Sequence, residues 1–277
     1  MTTDFGHPVI GIDGSGNAIA AWAGGSGAID TASLLAGGKW TRVKTLAARG
    51  QAVNLAVNSA GAAIVTWATR GATLADSGTV LGGFAAPVTV GPPPPYPIGH
   101  THVALNGAGQ AALAWATFNA NMAATRSAGG TWSTPTQLSA TPDGPVDVAI
   151  DGAGDAIAVF EQIQAAGTSY TAAVYASTRP AGGTWGAPAL LSVPADDAAG
   201  SRAVGDNAGT FVVAWEDRTT QTLNVLTSPP GGGFAPAAMF PGVLALGDLK
   251  IAPGHAVLTF APGISSEPMS VSSEPVS

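Results

Sequence analysis

One motif, recurring six times, limits this chain more than any other feature. It has the form apolar–x–apolar–Asp/Asn–x–x–Gly–x–Ala–apolar–x–x–Trp/Phe, with slack at single positions. It runs from Asp13 to Trp22, Asn58 to Trp67, Asn106 to Trp115, Asp151 to Phe160 and Asp206 to Trp215, always with an offset of nine. A sixth copy, Ile251-Ala252-Pro253-Gly254 to Phe260, is one residue shorter. The steps between Asp13, Asn58, Asn106, Asp151, Asp206 and Ala252 are 45, 48, 45, 55 and 46 residues. A second signature, Gly-Gly-x-aromatic, lies between the copies: Gly37-Gly38-Lys39-Trp40, Gly129-Gly130-Thr131-Trp132 and Gly182-Gly183-Thr184-Trp185, with variants at Gly82-Gly83-Phe84 and Gly232-Gly233-Phe234.

Short apolar-rich runs bounded by glycine turns read as strands, and no segment sustains a 3.6-residue period. Each repeat then holds four strands, A to D from the inside out. Four strands per repeat of this length, six times over, predict an all-β, six-bladed β-propeller of four-stranded antiparallel blades. The Asp-x-x-Gly segment is the A–B turn, where Asp or Asn bonds its own backbone and glycine supplies positive φ. The Gly-Gly pair is the C–D turn. The aromatic that ends strand B and the one that opens strand D are expected to pack between blades. The sixth repeat stops after strand C, and residues 1–5 stand where a strand D is missing, so the N-terminal strand is expected to complete the last blade and leave no sheet edge open. The expected organisation is a single domain, with repeats at about 7–51, 52–99, 100–144, 145–199, 200–245 and 246–277 plus 1–6.

The pattern resembles the propeller repeats of bacterial sialidase-like proteins of the BNR type, whose Asp-boxes occupy the C–D turn. Ser127-Ala128-Gly129-Gly130-Thr131-Trp132 and Pro180-Ala181-Gly182-Gly183-Thr184-Trp185 match the end of that box without its Asp. The resemblance spans the whole chain at the level of the repeat. Sialidases use an arginine triad and a Tyr–Glu nucleophile. Here only Arg202 and Arg218 fall where a triad member stands, and no tyrosine is placed beside a glutamate.

Composition removes several functions. There is no cysteine, so disulfide scaffolds, Cys-ligated metals and catalytic thiols are out. A net charge of −7 with ten Lys+Arg argues against a nucleic-acid partner. An apolar content of 46% argues against disorder. No apolar run reaches the length of a membrane span. No signal peptide is visible at the N-terminus, which leaves the location open, with the cell exterior or surface as one expectation. A monomer is expected.

Propeller ligands usually meet the face that carries the D–A and B–C loops. Four positions before each Asp/Asn stand Val9, Asn54, His102, Asp147, Arg202 and Asp248, a polar column in strands otherwise built of small apolar residues. The residue after the strand-B aromatic is alanine in four repeats but Glu161 and Glu216 in the fourth and fifth. Asn54, His102, Asp147, Glu161, Arg202, Glu216 and Asp248 are therefore the expected ligand contacts. The favoured reading is a binding module for a glycan, a small polar molecule or a protein partner. Glu161 and Glu216 could instead act as acid and base of a sialidase-like glycoside hydrolase or lyase. A structural scaffold that binds nothing is the third reading. No metal site and no obligatory cofactor are expected, Ca²⁺ held by oxygen ligands being the one candidate ion. His100 and His102 alternate on one strand, but His7 and His255 belong to other repeats. The run Gly91-Pro92-Pro93-Pro94-Pro95-Tyr96-Pro97 reads as a stiff spacer. All seven tryptophans fall on the two repeated packing positions, which counts against a lectin built on tryptophan platforms.

Overall fold

The computed structural model describes residues 8–91, 101–117, 119–140, 143–166, 169–193, 197–252 and 255–262. These residues form strands and turns with no helix. The backbone gathers into two compact units, Met1–Phe118 with Met122–Gln137, and Asn119–Asn121 with Leu138–Ser277.

The first unit carries three antiparallel sheets. The first is β1 (Val9–Ile12), β2 (Ala18–Ala23), β3 (Ile29–Leu34) and β4 (Lys44–Ala47), paired in that order. The second is β5 (Gln51–Val57), β6 (Ala62–Ala68) and β7 (Thr73–Thr79), with β7 pairing both β8 (Gly83–Phe84) and β9 (Val88–Gly91). The third is β10 (Thr101–Leu105), β11 (Ala111–Ala116), β12 (Asn121–Arg126) and β13 (Thr136–Gln137).

The second unit continues the series. Its first sheet is β14 (Asp143–Ile150), β15 (Ala156–Ala166), β16 (Ser169–Arg179) and β17 (Ala189–Leu190). The next is β18 (Ala198–Gly205), β19 (Phe211–Asp217), β20 (Thr222–Ser228) and β21 (Ala238–Pro241), and the last described pair is β22 (Val243–Ala252) with β23 (His255–Pro262). The rest of the sixth repeat, and the N-terminal strand expected to complete it, lie outside the described residues.

The repeat motif does at the A–B turns of the first five repeats what its chemistry dictates. Asp13 Oδ1 accepts from the N–H groups of Ser15 and Asn17, and Asp206 Oδ1 from Ala208 and Thr210. Gly16 sits at φ 79°, a conformation that a side chain would strain. The turns also tie neighbours together. Gly14 N–H donates to Ser59 C=O, Asn58 Nδ2 to Asn106 C=O and Gly152 N–H to Asp206 C=O.

Within each unit the sheets pack face to face, and the strand-B aromatic rests on the preceding sheet. Trp67 joins Ala21 and Ile29, Trp115 joins Ile64 and Ala75, and Trp215 joins Ile157 and Val174. Of the strand-D aromatics, Phe84, Trp132 and Phe234 also pack against these clusters, partly buried. Trp40 and Trp132 make single bridges to Leu34 and Arg126, and Trp40 keeps 47% of its surface exposed. The regular fourth strand resumes only after a break, because the tight Gly-Gly turn cannot feed straight into a long ladder. The 55-residue step is explained by β15 and β16, eleven-residue partners that extend well past the six- or seven-residue second strands of the other four-stranded sheets.

Candidate functional site

Four of the six inner strands carry a bulge near their start; β1 and β10 pair without one. Register shifts lie between Gln51 and Asn54, Asp143 and Val146, Ala199 and Arg202, and Leu246 and Leu249. A bulge re-aims side chains at the rim of a sheet, which is where the polar column falls. Two of its members serve the neighbouring strand. Asn54 Oδ1 accepts from Val103 N–H at 3.2 Å, and Asp147 Oδ2 accepts from Ala203 N–H at 3.1 Å, the same bond in different units. Asp147 Oδ1 also accepts from Val148 N–H. Arg202, half-buried, donates from Nη1 to Ser201 C=O at 2.9 Å. His102 is half-buried on β10, opposite Ala114. Asp248 lies on β22, but its side chain is outside the described residues.

The two glutamates flank the bulge of β18. Alternation along β19 turns Phe211, Val213 and Trp215 toward the fourth-repeat sheet and Val212 and Ala214 toward the sixth-repeat pair. Glu216 follows the second set. Glu161, by the same alternation along β15, faces β18. Its Oε1 accepts from Ser201 N–H at 3.1 Å, and the Gly200 N–H is aimed at the same carboxylate. Gly200 holds φ at 66°, which points these successive N–H groups at one anion. On the other side, a Cβ added at Gly200 would stand 3.6 Å from Glu216 Oε1. Gly144 also approaches Glu161, and a Cβ there would meet its Oε2 at 3.0 Å.

The carboxylates differ in environment. Glu161 is 5% exposed, and burial pushes its carboxyl up from the usual glutamate range; the backbone donors at Ser201 and Gly200, then Arg218 and Arg202, oppose that shift. Glu216 is 7% exposed, and its Oε1 lies 3.6 Å from Nε of the exposed Arg218. Glu216 Oε2 and Ser201 Oγ are buried with no hydrogen-bond partner. Asp217 closes the adjoining turn by accepting from the Thr219 and Thr220 N–H groups. Buried acceptors beside the exposed guanidinium of Arg218 suit a ligand that brings hydroxyl donors and an acidic or polar acceptor.

The structure thus gathers Glu161, Arg202 and Glu216 around Gly200–Ser201, while Asn54 and His102 belong to the first unit. Ser201, Gly200 and Gly144 carried no sequence signal, because only a bulge puts them beside the glutamates. Among the described residues, no three His, Cys, Asp or Glu side chains gather as a metal site would require. His7, His100 and the proline run are outside the described residues, as is the His255 side chain. No described helix is long and apolar enough to cross a membrane.

No protein-family model matches the chain, and no curated protein matches it. Solved structures do. An ulvan lyase, a polysaccharide lyase, aligns with a TM-score of 0.61 at 10% identity, over 93% of this chain and 76% of the lyase. The SapL1 lectin in complex with alpha methyl fucoside aligns at 0.53 and 14% identity, over 91% and 87%. A prolyl endopeptidase aligns at 0.55 and 16% identity, over 91% of this chain but 37% of its own. These likenesses, with the four-stranded antiparallel sheets, establish a β-propeller-like all-β fold.

Proposed function

We propose that this protein is a carbohydrate-recognition propeller whose ligand meets the carboxylate–arginine cluster of the second unit. One observation carries the reading: Glu216 Oε2 is a buried acceptor with no partner, beside the exposed guanidinium of Arg218. An unsatisfied buried acceptor costs about 1–3 kcal/mol, which a ligand hydroxyl would recover. The names of the structural neighbours, a polysaccharide lyase and a fucoside-bound lectin, support a sugar over other polar ligands. Asp147 and Asp248 are proposed as further contacts in the second unit, and Asn54 and His102 as ligand contacts in the first. We further propose one domain of six blades closed by the N-terminal strand, built on BNR-type repeats and acting as a monomer.

The test is calorimetric titration with sialic acid and with neutral and uronic-acid oligosaccharides. Binding that falls about tenfold in Glu216→Gln and in Arg218→Ala would support the proposal. No heat from any of the sugars sinks it and leaves a scaffold.

A second reading rests on the unlike environments of the two glutamates. Glu161, pushed up by burial, has the character of a general acid, and Glu216 is the proposed base by its position on the other side of the same bulge. A hydrolase or lyase would then lose turnover in Glu161→Gln while retaining sugar binding. Calcium would act only as an oxygen-held ligand here, and a chelator that leaves sugar binding unchanged would rule it out.

A further inference from the structure

The first unit holds a different candidate. A cavity of about 320 Å³ opens between the first and second sheets, lined by Thr31, Ser33, Thr41 and Lys44–Leu46 on one side and by Asp76 and Leu81–Ala85 on the other. Asp76 is 2% exposed, and its Oδ1 is buried with no hydrogen-bond partner. Desolvation pushes its proton affinity up, opposed by the N–H groups of Ser77 and Ala85. Within 4 Å no Lys, Arg or His pairs with it among the described residues.

The next groove shows what normally closes such a space. Between the second and third sheets, Arg126 donates to Ser77 Oγ and stacks 5.5 Å from the Trp132 ring. Arg126 pairs with Trp132 in the third sheet, and Gly78 pairs with Phe84 at the same place in the second. A glycine therefore stands in the second sheet where the third has a guanidinium. The Gly83 and Phe84 backbone closes over Gly78, where an added Cβ would clash with the Gly83 carbonyl oxygen, so no side chain reaches Asp76 from this position.

The wall chemistry selects the ligand. Thr31 Oγ1 donates to Lys44 C=O, Ser33 Oγ to Val80 C=O and Thr45 Oγ1 to Asp30 Oδ1. These hydroxyls have spent their protons, so only their lone pairs face a ligand. With Asp76 Oδ1 they form an acceptor-rich wall. The exposed Lys44 ammonium at the rim is a donor that disfavours a cationic guest. Phe84 and Leu46 add apolar surface. A molecule rich in O–H donors, uncharged, with one apolar face answers all of these, and the cavity lies at the lower end of ligand-site volumes.

We propose that this groove binds a neutral cyclic polyol, a single sugar ring, with Asp76 Oδ1 accepting a ring hydroxyl and Lys44 donating to another. The site shares no residue with the cluster of the second unit and does not depend on that reading. The probes are D-glucose, D-galactose, L-rhamnose and myo-inositol, each titrated to high millimolar concentration while the Leu46 and Leu81 methyl and Phe84 ring resonances are followed by NMR. The expected result is saturable shifts of those resonances by at least one probe, with affinity about tenfold weaker in Asp76→Asn and a few-fold weaker in Lys44→Met. Lys44 is exposed, so its replacement tests the site even if the Asp76 variant does not fold. Shifts confined to other residues, no shift with any probe, or unaltered affinity in Lys44→Met together with any folded Asp76→Asn protein would overturn the proposal.

Discussion

At the head of the inner strand in the third sheet, Thr101 Oγ1 donates to Ala52 C=O at 2.7 Å and lies 3.2 Å from Thr66 Oγ1. Five positions before the motif's Asp in the fifth repeat, Ser201 takes the place of Thr101, and its Oγ finds no partner. The first unit fills the site after the strand-B aromatic with Ala68 and Ala116; the second fills it with Glu161 and Glu216. The backbone is shared: Ala52 at φ 53° and Gly200 at φ 66° occupy the same step before the motif. Short neutral side chains are thus enough to build this corner. The glutamates of the second unit add buried charge and an unsatisfied acceptor that the matching corner of the first does without. Such local conflicts with good packing are what binding sites introduce.

The comparison can be broken at its shared framework first. Trp67→Ala and Trp215→Ala each remove a fully buried indole and should cost about 3–5 kcal/mol in urea unfolding. A much smaller loss in one unit would mean that the two corners are not built alike. Next come the matched staples. Asn54→Ala and Asp147→Ala each orphan an N–H on the adjoining inner strand and should cost about 1–3 kcal/mol. The bulge residues give a reciprocal pair. Gly200→Ala should lose about 1 kcal/mol to positive-φ strain, since its Cβ would meet nothing nearer than 3.6 Å, and Ala52→Gly should gain a similar amount. The smallest effect is in pH. Glu161 has its folded-state proton affinity raised, so the folded protein binds that proton more readily than the unfolded chain. Stability should fall as pH rises from the ordinary glutamate range through the raised folded value, then level off. Thermal midpoints from about pH 4 to pH 8 should show that slope reduced in Glu161→Gln. Asp76 contributes in the same sense and remains in that variant.

The turns and the strand-B packing were legible because each is local: an Asp three residues before a glycine, or an aromatic at a fixed offset. The bulges were not. They shift register at the strand head, and alternation cannot show which of two adjacent residues faces the neighbouring sheet. Asn54 and Asp147 were legible as members of a polar column, but their bonds to Val103 and Ala203 were not. Asp76 and Arg126 were missed for another reason. They sit on third strands, outside both repeated signatures, and only the packing of one sheet against the next gives them meaning.

The central claim is that the carboxylates of the second unit are superfluous to the fold. Its most direct test is the unfolding free energy of Glu216→Ala, which copies Ala68 and Ala116. The account predicts a protein as stable as the parent, or more stable by up to about 2 kcal/mol once the unpartnered oxygen is gone. A loss of about 2 kcal/mol or more would show that Glu216 holds the fold together, and would contradict the claim.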